Sequence, residues 1–360
     1  MNRKLISLLP AVENKPSNLS KKLSQFRVLQ FNVLADGLFG LQSDKGSFTH
    51  VLPEIAEWEY RKTLLLQEIL QFDPDVITLQ ECDHFDDFFH PELFKRGYSG
   101  HFAPKPSSPC LMVSNRSDGC ALFWKSDRIK IQSLRIHSYA HQNQVAIIAS
   151  CCAPSESPAT FIIATTHLKA TKSYKGEEIR VTEVSQLLEQ IDVELKLYEN
   201  SDSPRPAVII TGDFNATPIP QNGSNYKSEA YALLKSHSLG FRSVLNDDFL
   251  NVISSSNKDE TQMDDSFIWT SWKSRIKSIA TNAMNDAPTE VIESIHKNCI
   301  DYIFYTPFPE KLSNSSTIQY GFRAIAVSEL LPSAIVGEKL LPNALYASDH
   351  AAIVADLLLE

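Results

Sequence analysis

Five short runs of this sequence each carry polar side chains out of an apolar stretch. They are Asn32 after "RVLQF", Glu81 after "VITLQ", His167 and Lys169 in "THLKA", Asp213 and Asn215 in "GDFNATP", and Asp349 and His350 in "SDHAAI". A hard divalent cation such as Mg²⁺ takes carboxylate and amide oxygens plus waters, so Glu81 with Asn32 is the expected metal pair. Mn²⁺ would serve as a substitute, and Asn32 is also expected to touch the substrate. Hydrolysis of a phosphate ester further needs an oriented water, counter-charge for the phosphoryl oxygens and a stabilised leaving oxygen. His350 can polarise or deprotonate the water once a carboxylate holds its other ring nitrogen, and Asp301 in "CIDYIFY" is the expected holder. Asp213 would orient that water, while Asn215 and His167 donate hydrogen bonds to the phosphoryl group. Singly, each residue reads as a solvated strand end or a turn. Together they read as a metal-assisted hydrolase site.

Other chemistries lack their residues. No GxSxG elbow and no GxxxxGK[ST] loop occurs, and the six cysteines, at 82, 110, 120, 151, 152 and 299, form no CxxC pair and no zinc spacing.

Strand ends gathered at one edge of a sheet would bring such distant positions together. "FRVLQFNVLA" and "PDVITLQE" read as strands buried on both faces, because their apolar runs are nearly continuous. "GCALFWK", "QVAIIASCC", "ATFIIATTHLKA", "AVIITGDFNATP", "CIDYIFY" and "SDHAAIVADLLL" repeat the pattern. "EWEYRKTLLLQEILQFD" is helical, with Leu64, Leu65, Ile69 and Phe72 on its apolar face, and "GEEIRVTEVSQLLEQIDVELKLY" is a long amphipathic helix with an acidic first turn. Residues 246–265 and 276–297 turn polar and non-periodic, which predicts surface insertions.

At 360 residues and 43% hydrophobic, the chain is long enough for one large α/β domain, expected over residues 26–360. Residues 1–25 read as a disordered leader, with a weak organelle-targeting presequence as the alternative, since Pro10 and Pro16 interrupt the helix such a signal needs. The net charge of −9 argues against non-specific nucleic-acid binding, so any phosphate site must be a local basic pocket. No run reaches the roughly 18 apolar residues of a membrane span. A monomer with reduced thiols in a cytosol-like compartment is expected, with a mitochondrial form as the alternative.

"FNVLAD", "LQECDHF", "GCALFW", "THLKA", "GDFNATP", "IDYIFY" and "SDHAAI", in this order, resemble the signature of the endonuclease/exonuclease/phosphatase superfamily. The resemblance implies a four-layer α/β sandwich of two packed mixed sheets flanked by helices. It also places the family's metal and catalytic residues on Glu81, Asn32, Asp213, Asn215, Asp301 and His350. "GYSGHFAPKPSSPC", "NQVAI" and "HLKA" narrow the match to the deadenylase-like branch, whose members remove the 2′-phosphate of NADP(H) or shorten poly(A) tails. In that branch a lysine in "PKP", the lysine of "HLKA" and an arginine after a Trp-Lys pair grip the phosphates of the dinucleotide. Here these are Lys105, Lys169 and Arg275. Pro104 and Pro106 restrict the backbone around Lys105, so less entropy is lost when its ammonium meets a phosphate.

Two features depart from the branch. An arginine commonly follows "HLKA", and here stand Thr171 and Lys172. Either Lys172 substitutes as a point charge or affinity falls, because a hydroxyl cannot grip phosphate bidentately. The segment between Arg275 and Asp301 is also longer than the branch's connection. Because basic stripes with interleaved aromatics are missing, NADP(H) is preferred as substrate, and poly(A)-specific 3′ exoribonuclease action on RNA is the alternative.

Overall fold

The computed structural model describes residues 3–9, 25–44, 46–140, 143–153, 159–199, 203–218, 228–249, 269–278, 291–308, 319–338 and 340–360. Strand β1 (Leu5–Ser7) precedes β2 (Gln25–Asn32), and helix α1 (Trp58–Leu70) leads into β3 (Val76–Gln80), β4 (Tyr98–Pro104) and β5 (Gly119–Lys125). Strands β6 (Lys130–Ser138), β7 (Val145–Cys152) and β8 (Thr160–His167) run into helix α2 (Tyr174–Lys196) and β9 (Ala207–Asp213). After helix α3 (Glu229–Lys235) come β10 (Arg242–Ser243), β11 (Ser271–Ser278), β12 (Val291–Asn298), β13 (Asp301–Tyr305), β14 (Phe322–Ser328) and β15 (Ile353–Leu359).

Alternation within single strands builds the layers. On β2, Phe26 and Val28 pack between two sheets with Phe161, Ile163 and Ile209, whereas Leu29 and Phe31 pack on the other face with Leu65 and Ile69 of α1. Ile162, Ala164, Val208 and Ile210 likewise turn outward onto Val184, Leu187, Leu188 and Ile191 of α2. Each fully buried aliphatic side chain there stabilises the fold by about 1.5–3 kcal/mol. Two sheets with helices on their outer faces follow, as the family resemblance implied.

The sheet orders are β1-β14-β15-β2-β3-β5-β4 and β10-β13-β9-β8-β7-β6. Strands β2 and β3 are parallel, as are β8 and β9; the other pairs in both sheets are antiparallel. Parallel pairing puts the C-terminal ends of β2 and β3 side by side, with Asn32 level with Gln80 just before Glu81. It also sets His167 opposite Asp213. Antiparallel β13 starts where β9 ends, Asp301 opposite Asp213, and β15 starts beside the end of β2, Ile353 opposite Gln30. One edge thus collects four strand ends and two strand starts.

Two expectations change. Residues 5–7 are not part of an unstructured leader: β1 pairs with β14, and Arg3 lies 2.5 Å from Glu68 of α1 in a buried ion pair. The rest of the expected leader, residues 1–2 and 10–24, lies outside the described residues. The stretch 276–297 is not simply an irregular insertion, because β11 and β12 pair in register from Ser271 opposite Asn298 to Ser278 opposite Val291. Cross-strand pairing, which no helical or alternating apolar period announced, organises it. Residues 279–290 between these strands and 250–265 of the earlier polar stretch lie outside the described residues.

Candidate active site

Backbone strain marks this edge. Glu81 at φ +54° and Asn215 at φ +48° sit in the left-handed region, which costs a non-glycine residue of order 1–3 kcal/mol and persists where surroundings enforce it. Gly212, at φ +149°, has no substitute: a Cβ there would lie 2.1 Å from the Thr166 carbonyl oxygen. The glycine of "GDFN" lets β9 close on β8 and so brings Asp213 to His167.

Asn32 ties the centre together. Its amide Nδ2 donates to Glu81 Oε1 at 3.1 Å and to Asp213 Oδ2 at 3.0 Å, while its oxygen accepts from the Leu34 N–H at 3.0 Å. Glu81 Oε2 accepts from the Ala35 N–H at 3.3 Å. Asp213 Oδ1 accepts from the Asn215 N–H at 2.9 Å, and Asn215 Nδ2 reaches both the Leu168 carbonyl at 3.1 Å and His167 Nε2 at 3.2 Å. Glu81, His167 and Asp213 each offer a ligand atom within 4.8 Å of the others, as do Asp213, Asp301 and His350. Buried carboxylate oxygens clustered with imidazole nitrogens fit a divalent metal ion, so this edge can hold one. Asn32 thus holds the two carboxylates in register through its amide group.

Electrostatics set the protonation of three buried groups. His350 Nδ1 donates to Asp301 Oδ2 at 2.9 Å, and Asp301 is itself held by the Thr270 hydroxyl at 2.7 Å and Gln30 Nε2 at 3.2 Å. Burial opposes charge on His350, but Asp301, Asp349 and Asp213 outweigh it and push its pKa up to about 10. Burial, then the neighbouring Asp301, raises Asp213 to about 7. His167 is driven well below its ordinary value by burial and by the charges of Lys105, His350 and Lys273, so it is a neutral imidazole.

A cavity of about 550 Å³ opens on this centre, lined by Glu81, His167, Asp213, Asn215 and His350 and by four lysines, Lys105, Lys169, Lys172 and Lys273. Lys105 is not a solvated arm: it is buried and paired with fully buried Asp118, which also accepts from the Ser108 hydroxyl. Asn143 pins the same segment by bonding both the N–H and the carbonyl of Ser107. The Lys169 N–H is held by Glu183 at 2.9 Å. Thr171 is exposed, and both Thr171 and Lys172 line the cavity. Arg275 lies on β11 with its side chain outside the described residues. Two positions earlier in the strand, Lys273 lines the cavity and lies 2.9 Å from Asp349.

Sequence reasoning passed over Lys273, although it is the lysine of the Trp-Lys pair beside Arg275. It also passed over Gln30, Gln80 and Asp118. The two glutamines were visible as polar residues interrupting buried strands, and Asp118 as a charge just before "GCALFW". A larger cleft, about 740 Å³, lies at the opposite ends of β2 and β3 and is lined by opposed charges such as Arg27 with Asp356 and Lys125 with Asp73.

Residues 29–350 match the Endonuclease/Exonuclease/phosphatase family, and the chain belongs to that family of phosphoester hydrolases. Within it, the chain is similar to Nocturnin of Xenopus laevis, 33% identical over 345 residues that cover 94% of this chain and 73% of the relative. The solved human Nocturnin catalytic domain with bound sulfate anion aligns with a TM-score of 0.65 at 27% identity, covering 99% of this chain and 97% of that one. The CCR4-Not complex 3'-5'-exoribonuclease subunit Ccr4 of Schizosaccharomyces pombe is 25% identical over 391 residues, covering 97% of this chain and 51% of the relative.

Proposed function

We propose that the chain is a Mg²⁺-dependent phosphatase that removes the 2′-phosphate of NADP(H) to give NAD(H). The observation that carries this reading is the convergence of Lys105, Lys169, Lys172 and Lys273 on one cavity beside Glu81, Asp213 and His350, in a chain of net charge −9. A compact polyanion needs a few local cations, whereas an extended RNA needs a basic track along its backbone. The volume falls within the roughly 300–1,000 Å³ of small-molecule sites.

Glu81 would hold the ion, with Asn32 fixing its spacing from Asp213. The bound ion supplies Lewis-acid charge against the phosphoryl oxygens. Asp213, poised near neutrality, takes the proton of the attacking water, and His350, held charged by Asp301, neutralises charge on the phosphoryl group. These environments reverse the roles expected from sequence, where His350 activated the water and Asp213 oriented it. Asn215 and neutral His167 line the phosphoryl position, and the lysines grip the remaining phosphates.

Six buried cysteines, none in a disulfide, support a reducing, cytosol-like compartment. With Mg²⁺, purified protein should release inorganic phosphate from NADPH, and EDTA should stop the release. The likeness to Ccr4 supports a second reading, a poly(A)-specific 3′ exoribonuclease. Shortening of labelled oligo(A) without phosphate release from NADPH would select it.

A further inference from the structure

One cavity-lining group has no part in the chemistry above. Gln144 is only 8% exposed, its side chain lines the cavity, and its Oε1 has no hydrogen-bond partner among the described residues. Buried carboxamide oxygens are nearly always satisfied, because leaving one without a partner forfeits its hydration. Its backbone is fixed: the Tyr139 N–H donates to the Gln144 carbonyl at 3.2 Å, and β7 begins at the next residue. The β7–β8 ladder runs from Cys152 opposite Thr160 to Ala146 opposite Thr166, so Gln144 comes level with the His167–Lys169 turn. That turn lines the same cavity and carries two of the groups expected to meet the phosphate. Its chain neighbour Asn143 laces down the Lys105 segment through Ser107, so the "NQ" pair joins the two phosphate-gripping walls.

We propose that Gln144 is a specificity residue whose carboxamide oxygen accepts a hydrogen bond from the nucleoside that bears the scissile phosphate. The donor is a ribose hydroxyl or a base amine. This rests on the nucleotide-phosphatase reading for the identity of the ligand. The orphaned acceptor is what makes the contact selective: a ligand lacking the donor leaves Gln144 buried and unpaired, whereas the correct one satisfies it.

The test is calorimetric, on the whole chain in EDTA so that no turnover occurs. Probes are adenosine 2′-phosphate, its 3′-deoxy analogue, its analogue lacking the 6-amine, and inorganic phosphate. Gln144→Leu should weaken adenosine 2′-phosphate about tenfold and leave inorganic phosphate unchanged. Its melting temperature should stay level or rise, because a buried unsatisfied group has been removed. In the wild type one analogue should lose the same tenfold, and in Gln144→Leu that analogue and the parent should bind alike; which analogue it is names the donor. Equal affinity of wild type and Gln144→Leu for adenosine 2′-phosphate overturns the proposal. So does a parallel loss for inorganic phosphate with a lowered melting temperature, which marks a structural residue. Should Gln144-dependent binding appear while NADPH yields no phosphate, the phosphatase reading fails and the specificity role stands. Should the wild type bind no probe, both fail.

Discussion

The chemistry at this edge turns on where two protons reside, and that sets its pH dependence. With Asp213 raised to about 7 and His350 to about 10 before an ion binds, and a bound cation favouring the carboxylate, turnover should rise below the first value as the base ionises. It should fall through the second as the imidazolium is lost. A pH–rate profile in saturating Mg²⁺ checks this; a rate that falls nowhere below pH 7 would remove Asp213 as the base. Stability of the metal-free protein falls as pH rises, because both folded-state values are raised. His350 binds its proton more tightly folded than unfolded, so its contribution is complete below 6.5 and is lost as pH rises through about 10. Melting in EDTA at pH 6, 8 and 10 should show that decline in wild type, and a shallower one in His350→Gln. Lys105 makes a second prediction. Lys105→Ala leaves Asp118 buried without its partner, which should cost about 3–5 kcal/mol by denaturant unfolding. Adding Asp118→Asn should recover most of that loss, while KM for NADPH stays raised, separating the lysine's structural role from its binding role.

Helix α2 is the element that shapes the phosphate-gripping turn. Its Ser173 side chain caps the start by accepting from the Gly176 N–H at 3.1 Å, an N-cap of about 1 kcal/mol. One turn in, Arg180 is fully buried, anchored on Glu177 at 2.7 Å, and donates to the carbonyls of Lys169 at 2.7 Å and Thr171 at 2.9 Å. Glu177 in turn accepts from the Ala230 N–H of α3 at 2.8 Å, and Glu183 holds the Lys169 N–H. The helix therefore fixes the backbone that aims Lys169 and Lys172. Arg180→Ala strips one charge from a buried pair and two carbonyls of their donor. Unfolding free energy should fall by about 3 kcal/mol or more, and KM for NADPH should rise more than kcat falls. An unchanged KM in a folded variant would show that the turn keeps its shape without the clamp.

At the scale of the whole molecule, the chain closes on itself through β1. Arg3 joins Glu68 of α1 and also donates to the Ser328 hydroxyl and the Ala352 carbonyl, stitching the first residues to β14, β15 and the helical layer. Arg3→Ala should lower unfolding free energy by about 3 kcal/mol, because Glu68 stays buried, and leave kcat/KM for NADPH within twofold, because the site lies elsewhere. A drop in kcat/KM with unchanged stability would contradict this placement. Sequence by itself determined the elements whose signal is local: the nearly continuous apolar runs of β2, β3, β8 and β9, the amphipathic α2, and the polar residues at their ends. Those ends carried the Glu81, Asp213, Asp301 and His350 set because each motif is a few adjacent residues. Tertiary structure alone decided the rest. Parallel pairing set His167 opposite Asp213, and cross-strand pairing joined 291–298 to 271–278, the strand that carries Lys273. Burial paired Lys105 with Asp118, gave Asp213 and His350 their proton affinities, and left Gln144 facing the cavity. The physical reason is common to all of these: ionisation, hydrogen-bond satisfaction and register depend on neighbours brought together through space, across separations that no local pattern encodes.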